Sequence, residues 1–265
     1  VATIKEIKAG VQVNIPYRML SKGYLDAFIN HSLNPEIGLD ASALDNTRHE
    51  EFRYVKKQLA RVGLTTTLHG PFIDMSPGSP DPQVWELTRR RFAQVIDVAR
   101  IFVPKAVVFH AGYDHRRYGF VKEEWFEQSL RTWEWVNGVL NDEGISVSLE
   151  NVFEEYPEYL LPLFEQLPGE TVKFCFDTGH QAAFGLARLQ DWLAVLGPYI
   201  GHLHLHDNNG KGDDHRALGS GSIDFHVLFD WLAEHFKVPP IITLEPHKEE
   251  DLLPSLNWLE ARWPW

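Results

Sequence analysis

Eight short β-prone runs recur along this chain, and each is followed by a stretch with helical periodicity. The runs are VQVNIP (11–16), EIGLD (36–40), LTTTLHGP (64–71), AVVFHAG (106–112), ISVSLENV (145–152), VKFCFDTGH (172–180), IGHLHLHD (200–207) and IITLEPH (241–247). Between them lie amphipathic segments such as HEEFRYVKKQLARVG, VWELTRRRFAQVIDVARIF, EEWFEQSLRTWEWVNGVL and FHVLFDWLAEHF. In the first of these Phe52, Val55, Leu59 and Val62 return at three- and four-residue spacing, the period of a helix face. Strand and helix alternating eight times predict an α/β fold with a parallel eight-stranded sheet, and eight is the count that closes a (β/α)8 barrel. No Gly/Ser/Pro-rich linker divides the 265 residues, so a single domain over residues 1–265 is expected.

Side chains alternate across a strand, so each run also states which residues face inward. In the fifth, Ile145, Val147 and Leu149 oppose Ser146, Ser148 and Glu150; in the sixth, Phe174 and Phe176 oppose Lys173, Cys175 and Asp177. The third sets Thr66 and Leu68 against Thr65, Thr67 and His69, and the eighth sets Ile242 and Leu244 against Thr243 and Glu245. In the seventh, Leu203 and Leu205 suit helix packing, which turns His202, His204 and His206 inward. The polar sets end at the C-terminal ends of their strands, where barrel active sites are built.

The residues gathered there are His69, His110, Glu150, Asp177, His180, His204 and Glu245, joined by Asp213 and His215 from the loop after the seventh run. A single histidine or acid at a strand end is more often a hydrogen-bonded structural residue than a ligand. Strands three to eight all ending in such groups at one depth point instead to a metal site. Several imidazoles with carboxylates suit Zn2+ or Mn2+ better than Mg2+ or Ca2+, which favour oxygen-only shells. A cation also removes the cost of burying several carboxylates together. His202 lies deeper and suits barrel filling, and His206 suits a partner behind the ligands. His31, His49, His226 and His235 fall in helical segments and are read as structural or solvated.

SLEN (148–151), FDTGH (176–180), HLHDNNG (204–210), the D-x-H-x-x-L-G-x-G-x-I-D run (213–224) and TLEPH (243–247) resemble the xylose isomerase-like TIM-barrel superfamily, which includes sugar-phosphate isomerases and epimerases and the endonuclease IV family. The resemblance covers all eight strands in order. It implies, from the isomerase and epimerase branch, a metal held by Glu150, Asp177, His204 and Glu245, with Glu150 and Glu245 doubling as the acid/base pair. From the nuclease branch it implies a trinuclear zinc cluster on His69, His110, Glu150, Asp177, His180, His204, Asp213, His215 and Glu245, with Glu150 bridging. One to three divalent ions are therefore expected.

An isomerase or epimerase of a small sugar or sugar phosphate is the reading preferred from the sequence. The loops PYRMLSKG and HGPFIDMSPGSPD offer only Arg18 and Phe72 where endonuclease IV-like proteins insert side chains into DNA. A net charge of −12 also argues against a nucleic-acid surface. Phosphoester hydrolysis, on abasic-site DNA or a small molecule, is the alternative. Dehydration or aldol cleavage on the same platform follows, and a barrel that only binds a ligand is the reading from another class. Arg116, Arg117, Lys211, Arg216 and His247 are candidates to touch substrate, while Arg89–Arg91 reads as a solvated helix face and Cys175 as packing. No apolar run approaches the roughly 20 residues of a membrane span. With Cys175 the single cysteine, a reducing, cytoplasmic setting is expected, with a homo-oligomer allowed.

Overall fold

The structure is a computed structural model describing residues 2–265. Its eight strands close a parallel barrel in sequence order: β1 (Val11–Pro16), β2 (Asn34–Gly38), β3 (Thr67–His69), β4 (Ala106–His110), β5 (Ser146–Glu150), β6 (Val172–Asp177), β7 (Ile200–Leu205) and β8 (Ile241–Leu244). β8 returns to β1 through Gln12↔Thr243 and its neighbours, so no strand edge is left open. Helices wrap the outside. Phe52, Val55 and Leu59 are buried on the helix His49–Arg61, as their spacing predicted, whereas Val62, read as the next residue of that face, caps the helix and is exposed. The long helix Pro82–Phe102 begins where Asp81 accepts from the backbone N–H of Gln83 and Pro82 supplies a preset φ.

The apolar core lies between the sheet and this helical layer. Phe92, Phe109 and Trp133 form one packed aromatic group, and Phe174, Phe176 and Trp192 another. The opening helix Ile4–Gly10 docks on the closing helix Leu252–Arg262, with the N–H of Ile4 donating to Glu260 at 2.7 Å. Trp258 meets Phe225 and Phe229, and Trp265 donates its indole N–H to the carbonyl of Phe236, so the C-terminal tryptophans seal this outer wall. No helix among the described residues is long and apolar enough to cross a membrane.

Inside, the barrel is polar. Gln12, Glu36, Thr67, Ser148, Cys175, His202 and Thr243 are all fully or almost fully buried, where barrels of this type are ordinarily filled by branched aliphatic side chains. One strand differs from the sequence reading. β2 occupies residues 34–38 rather than 36–40, with Gln12↔Asn34 opening its ladder to β1. Pro35 fits because the ladder to β3 begins only at Glu36↔Thr67, one residue later. That shift places Glu36 in the middle of a strand, pointing into the barrel.

Candidate metal centre

The strand ends and the loop after β7 bring all nine sequence-selected residues together in overlapping groups of donors. Three of these are His69 with His110 and Glu150, Glu150 with Asp177 and His204, and His180 with Asp213, His215 and His206, the donor atoms of each lying within 4.8 Å of one another. Glu245 joins the second through His204. In the first, Oε2 of Glu150 lies 2.9 Å from Nε2 of His69 and 3.5 Å from Nε2 of His110. In the second, Nδ1 of His204 lies 3.3 Å from Oε1 of Glu150, 3.9 Å from Oδ2 of Asp177 and 3.2 Å from Oε1 of Glu245. In the third, Oδ2 of Asp213 lies 3.4 Å from Nε2 of His180 and 3.1 Å from Nε2 of His215. Glu150 is the common member: its Oε1 also stands 3.2 Å from Nδ1 of His180. Strand register explains its central place, because β5 pairs His110↔Glu150 on one side and Glu150↔Cys175 on the other.

Three of the histidines are anchored from behind by backbone carbonyls. Nδ1 of His69 lies 2.9 Å from the carbonyl of Gly70, Nδ1 of His180 3.0 Å from that of Asn151, and Nδ1 of His215 2.9 Å from that of Glu245. A carbonyl only accepts, so each Nδ1 carries a hydrogen and each Nε2 is the nitrogen left for the cluster, its lone pair open to a cation once any proton shared with Glu150 or Asp213 is displaced. That is the tautomer a metal-binding imidazole needs. The donor set passes a second test. Oε1 of Glu150, Nδ1 of His204 and Oδ1 of Asp213 are buried and lack a well-aligned hydrogen-bond partner, yet all face the cluster. Orphaned buried donors and acceptors are costly, and a cation among them removes the cost. The residues therefore fit a divalent cation that accepts mixed nitrogen and oxygen ligands.

The electrostatics agree. Burial opposes the charge of Glu150, but the surrounding histidines, His204 foremost, outweigh it and hold the carboxyl well below its ordinary range. Burial likewise opposes His215, yet Asp213 and Glu245 lift it to about 9. His110 goes the other way, pushed by burial to about 3, so it presents a neutral imidazole ready to ligate. Glu245 is raised by burial, with Glu150 and Asp177 adding their repulsion.

The loop after β7 is held down by residues that the sequence motifs contained but whose roles were not legible. Asp207 accepts from the backbone N–H groups of Asn208, Gly221 and Ile223, and pairs through its backbone with Arg216. Asn208 donates to the carbonyl of Gly179, and Asn151 clamps both backbone groups of Asp177. His215 sits at φ 48°, a left-handed conformation that costs a non-glycine residue roughly 1–3 kcal/mol and that the loop imposes. His206 lies where a partner behind the ligands was expected, its Nε2 3.2 Å from Asp177, and its ring stacks on His215 at 3.7 Å.

The substrate candidates divide. His247 is exposed and stacks on His215 at 3.7 Å, directly over the third group. Arg116 is paired with Asp114 at 3.1 Å, and Arg117 packs over the ring of Tyr118. Lys211 and Arg216 are exposed on the loop after β7. None of these four cations is ion-paired with the nine residues among those described. Phe72 covers the first group, stacked on His110 at 4.8 Å. Among residues set aside, Arg91 pairs with Asp45 and Arg89 lies over Trp135, as a helix face does. Glu36 is the residue that was missed: it is fully buried beneath the second group, with Oε1 3.0 Å from Nε2 of His204.

Residues 35–262 match the family model described as xylose isomerase-like TIM barrel. The chain belongs to that family. The uncharacterized protein MJ1311 of Methanocaldococcus jannaschii is 29% identical over 218 residues, covering 80% of this chain and 74% of that protein. A probable endonuclease 4 of Symbiobacterium thermophilum is 25% identical over 213 residues, covering 72% and 75%. Among solved structures, the TTHB071 protein of Thermus thermophilus, soaked with ZnCl2, superposes with a TM-score of 0.79 at 29% identity, covering 95% of this chain and 97% of that one. A D-tagatose 3-epimerase-like protein gives 0.80 at 24% identity, covering 96% and 97%, a likeness of fold.

Proposed function

We propose that the protein is a multinuclear metal-dependent hydrolase of a small phosphoester. The observation that carries this reading is the position of Glu150. Its Oε2 meets His69 at 2.9 Å, its unpartnered Oε1 lies 3.2 Å from Nδ1 of His180 and 3.3 Å from Nδ1 of His204, and the residue is 1% exposed. An acid/base carboxylate for isomerisation has to turn one oxygen toward a substrate carbon, whereas the free oxygen of Glu150 faces histidines of the other two donor groups. A carboxylate that joins adjacent donor groups is what a cluster of two or three cations needs. Divalent cations held there supply the charge that makes a water nucleophilic near neutral pH and shields the attacked and departing oxygens. The chain's own part is to hold the donors in one tautomer, to cover the first group with Phe72, and to keep His247 exposed beside the third. The probable endonuclease 4 relative, at 25% identity, supports a phosphoester substrate, and the relative soaked with ZnCl2, at 29%, supports the trial of zinc. Short loops and a charge of −12 favour a small substrate over DNA.

Isomerisation or epimerisation of a small sugar is the second reading, and Glu245 favours it: a carboxyl raised by burial at the pocket mouth can hold and return a proton. Elemental analysis of protein purified without chelators, paired with turnover of bis(p-nitrophenyl) phosphate and p-nitrophenyl phosphate, tests the proposal. Two or three metals per chain with phosphoester turnover support it. One metal per chain, no phosphoester turnover and solvent-deuterium exchange into a ketose would overturn it in favour of the second reading. Cleavage of abasic-site DNA in preference to both small esters would overturn the small-substrate part.

A further inference from the structure

Four of the cluster's histidines have a ring nitrogen set against a group other than the nine donor side chains, three of them against backbone carbonyls. His204 is the exception in two respects. It faces the cluster with Nδ1 rather than Nε2, and what stands behind it is the carboxylate of Glu36. We infer that Glu36 is a positioning residue of the metal centre: it accepts Nε2–H of His204 and thereby keeps the Nδ1 lone pair of His204 turned toward the second donor group.

The floor of the barrel is built to aim that carboxylate. Oε2 of Glu36 accepts from the hydroxyls of Thr67 at 2.8 Å and Thr243 at 3.0 Å. Because Thr243 spends its hydrogen on Glu36, it accepts from Nε2 of His202, 2.8 Å away, which fixes the tautomer of His202 as well. Both threonines hold the same oxygen. Oε1 is left for His204 at 3.0 Å, with only the Asn14 amide nearby at 3.4 Å. The N–H direction of His204 falls off that oxygen and the Cys175 thiol also stands beside the ring, but Glu36 is the carboxylate paired with Nε2. A bond to a neutral oxygen would satisfy the hydroxyls equally. A buried carboxylate, expensive to desolvate, adds what a neutral group cannot: it makes the imidazole of His204 a stronger donor to a cation on its far side. Glu36 touches neither substrate nor the reacting atoms, so it acts through His204. The inference rests on the metal-centre reading and is independent of which reaction the centre performs.

The test uses full-length protein with 15N-labelled histidine, the His204 signals being assigned by their loss in His204→Gln. Long-range 1H–15N spectra of the metal-free wild type are expected to show His204 with hydrogen on Nε2. In Glu36→Ala that signature is expected to give way to a tautomer mixture, and affinity for Zn2+, read by competition with a chromophoric chelator, to fall about 10- to 100-fold. Glu36→Gln, nearly isosteric and able to accept through its amide oxygen, is expected to keep the tautomer and to recover part of the affinity. A wild-type His204 with hydrogen on Nδ1 overturns the inference without any variant. So does unchanged Zn2+ affinity in a folded Glu36→Ala or Glu36→Gln protein, whatever its melting temperature. A wild type that binds no Zn2+ yet shows the Nε2–H tautomer, lost in the alanine variant, would instead overturn the metal-centre reading while leaving Glu36 as the anchor of His204.

Discussion

Gly179→Ala is expected to damage the metal centre without touching any proposed ligand. Gly179 lies in the helix Thr178–Phe184, directly against the ring of His206. A Cβ at this position would fall inside the contact distance of three ring atoms at once, with even the farthest of them, Nε2, at 2.5 Å. Ordinary contact begins near 3.4 Å, so the ring has to retreat by roughly 1 Å or more. It has nowhere free to go. His206 is 1% exposed, and its ring stacks on His215 at 3.7 Å and 2°, which in turn stacks on His247. The push therefore passes to His215 and loosens the hold of His206 on Asp177.

Overpacking of this kind costs about 1–3 kcal/mol, offset by up to about 1 kcal/mol from the better helix propensity of alanine. The net is a loss of about 1–2 kcal/mol, or roughly 3–6 °C in melting temperature for a chain of this size. Gly138→Ala is the matched control. Gly138 sits in the helix Lys122–Asn141, exposed, with nothing within 4 Å of the added Cβ, so that variant is expected to gain about 0.5–1 kcal/mol. Denaturant unfolding of both variants, with and without metal, together with metal content per chain, reads the effect. A Gly179→Ala protein as stable as Gly138→Ala and carrying the wild-type metal complement would refute the chain of contacts from Gly179 to His215.

Exhaustive chelation is expected to lower the melting temperature by roughly 5–8 °C, since a metal present at about 100 times its Kd and bound to the folded state alone contributes about 2.7 kcal/mol. An unchanged melting temperature after verified removal would rule out tight binding. Glu150→Gln is expected to lose metal from the first two donor groups and at least about 100-fold in turnover, because the amide cannot join them; full metal content in the purified variant would contradict this. Glu154, buried and accepting from the backbone N–H groups of Val152 and Tyr113, is pushed up by burial to about 7 from 4.5. Its folded-state proton affinity thus exceeds that of the unfolded chain. The stabilisation is complete below about pH 4.5 and is lost as pH rises through 7, amounting to about 2–4 kcal/mol. Glu154→Gln has no proton to lose, so the wild-type-minus-variant stability difference should fall across that window; a difference flat from pH 5 to 8 would show Glu154 ionised throughout.

How much of this site was legible before folding depends on which interaction places each residue. His69, His110, Glu150, Asp177, His204 and Glu245 could be found because alternation along a strand sends them inward and a closed parallel barrel stacks strand ends at one level. His180, Asp213 and His215 could be gathered only by their place past a strand end, as a loop has no period to read. What turns those three into a donor group is long-range: the Asn151 carbonyl behind His180, the Glu245 carbonyl behind His215, and the Asp207 carboxylate that ties the loop down. Arg116 shows a pairing that its position in the sequence did not reveal. A cation just past a strand end reads as a substrate contact, and only the folded loop shows its guanidinium turned onto Asp114.

Glu36 marks the deeper limit. Read as the first residue of a strand over 36–40, it belongs at the bottom of the barrel, far from the mouth. Pairing of β1 with Asn34 moves the strand by two residues and lifts Glu36 into the layer under His204. A two-residue slip leaves the inward and outward faces unchanged, so the alternation pattern is blind to it; depth along the barrel axis is set only by the ladder with neighbouring strands. The ligand layer escaped the same ambiguity because several strands vote on its level. A lone buried carboxylate has no such vote, and its meaning comes entirely from Thr67, Thr243 and His204, contributed by three other strands. Residues that hold a ligand are thus harder to read from sequence than the ligands they hold, even where removing either one would cost the centre its metal.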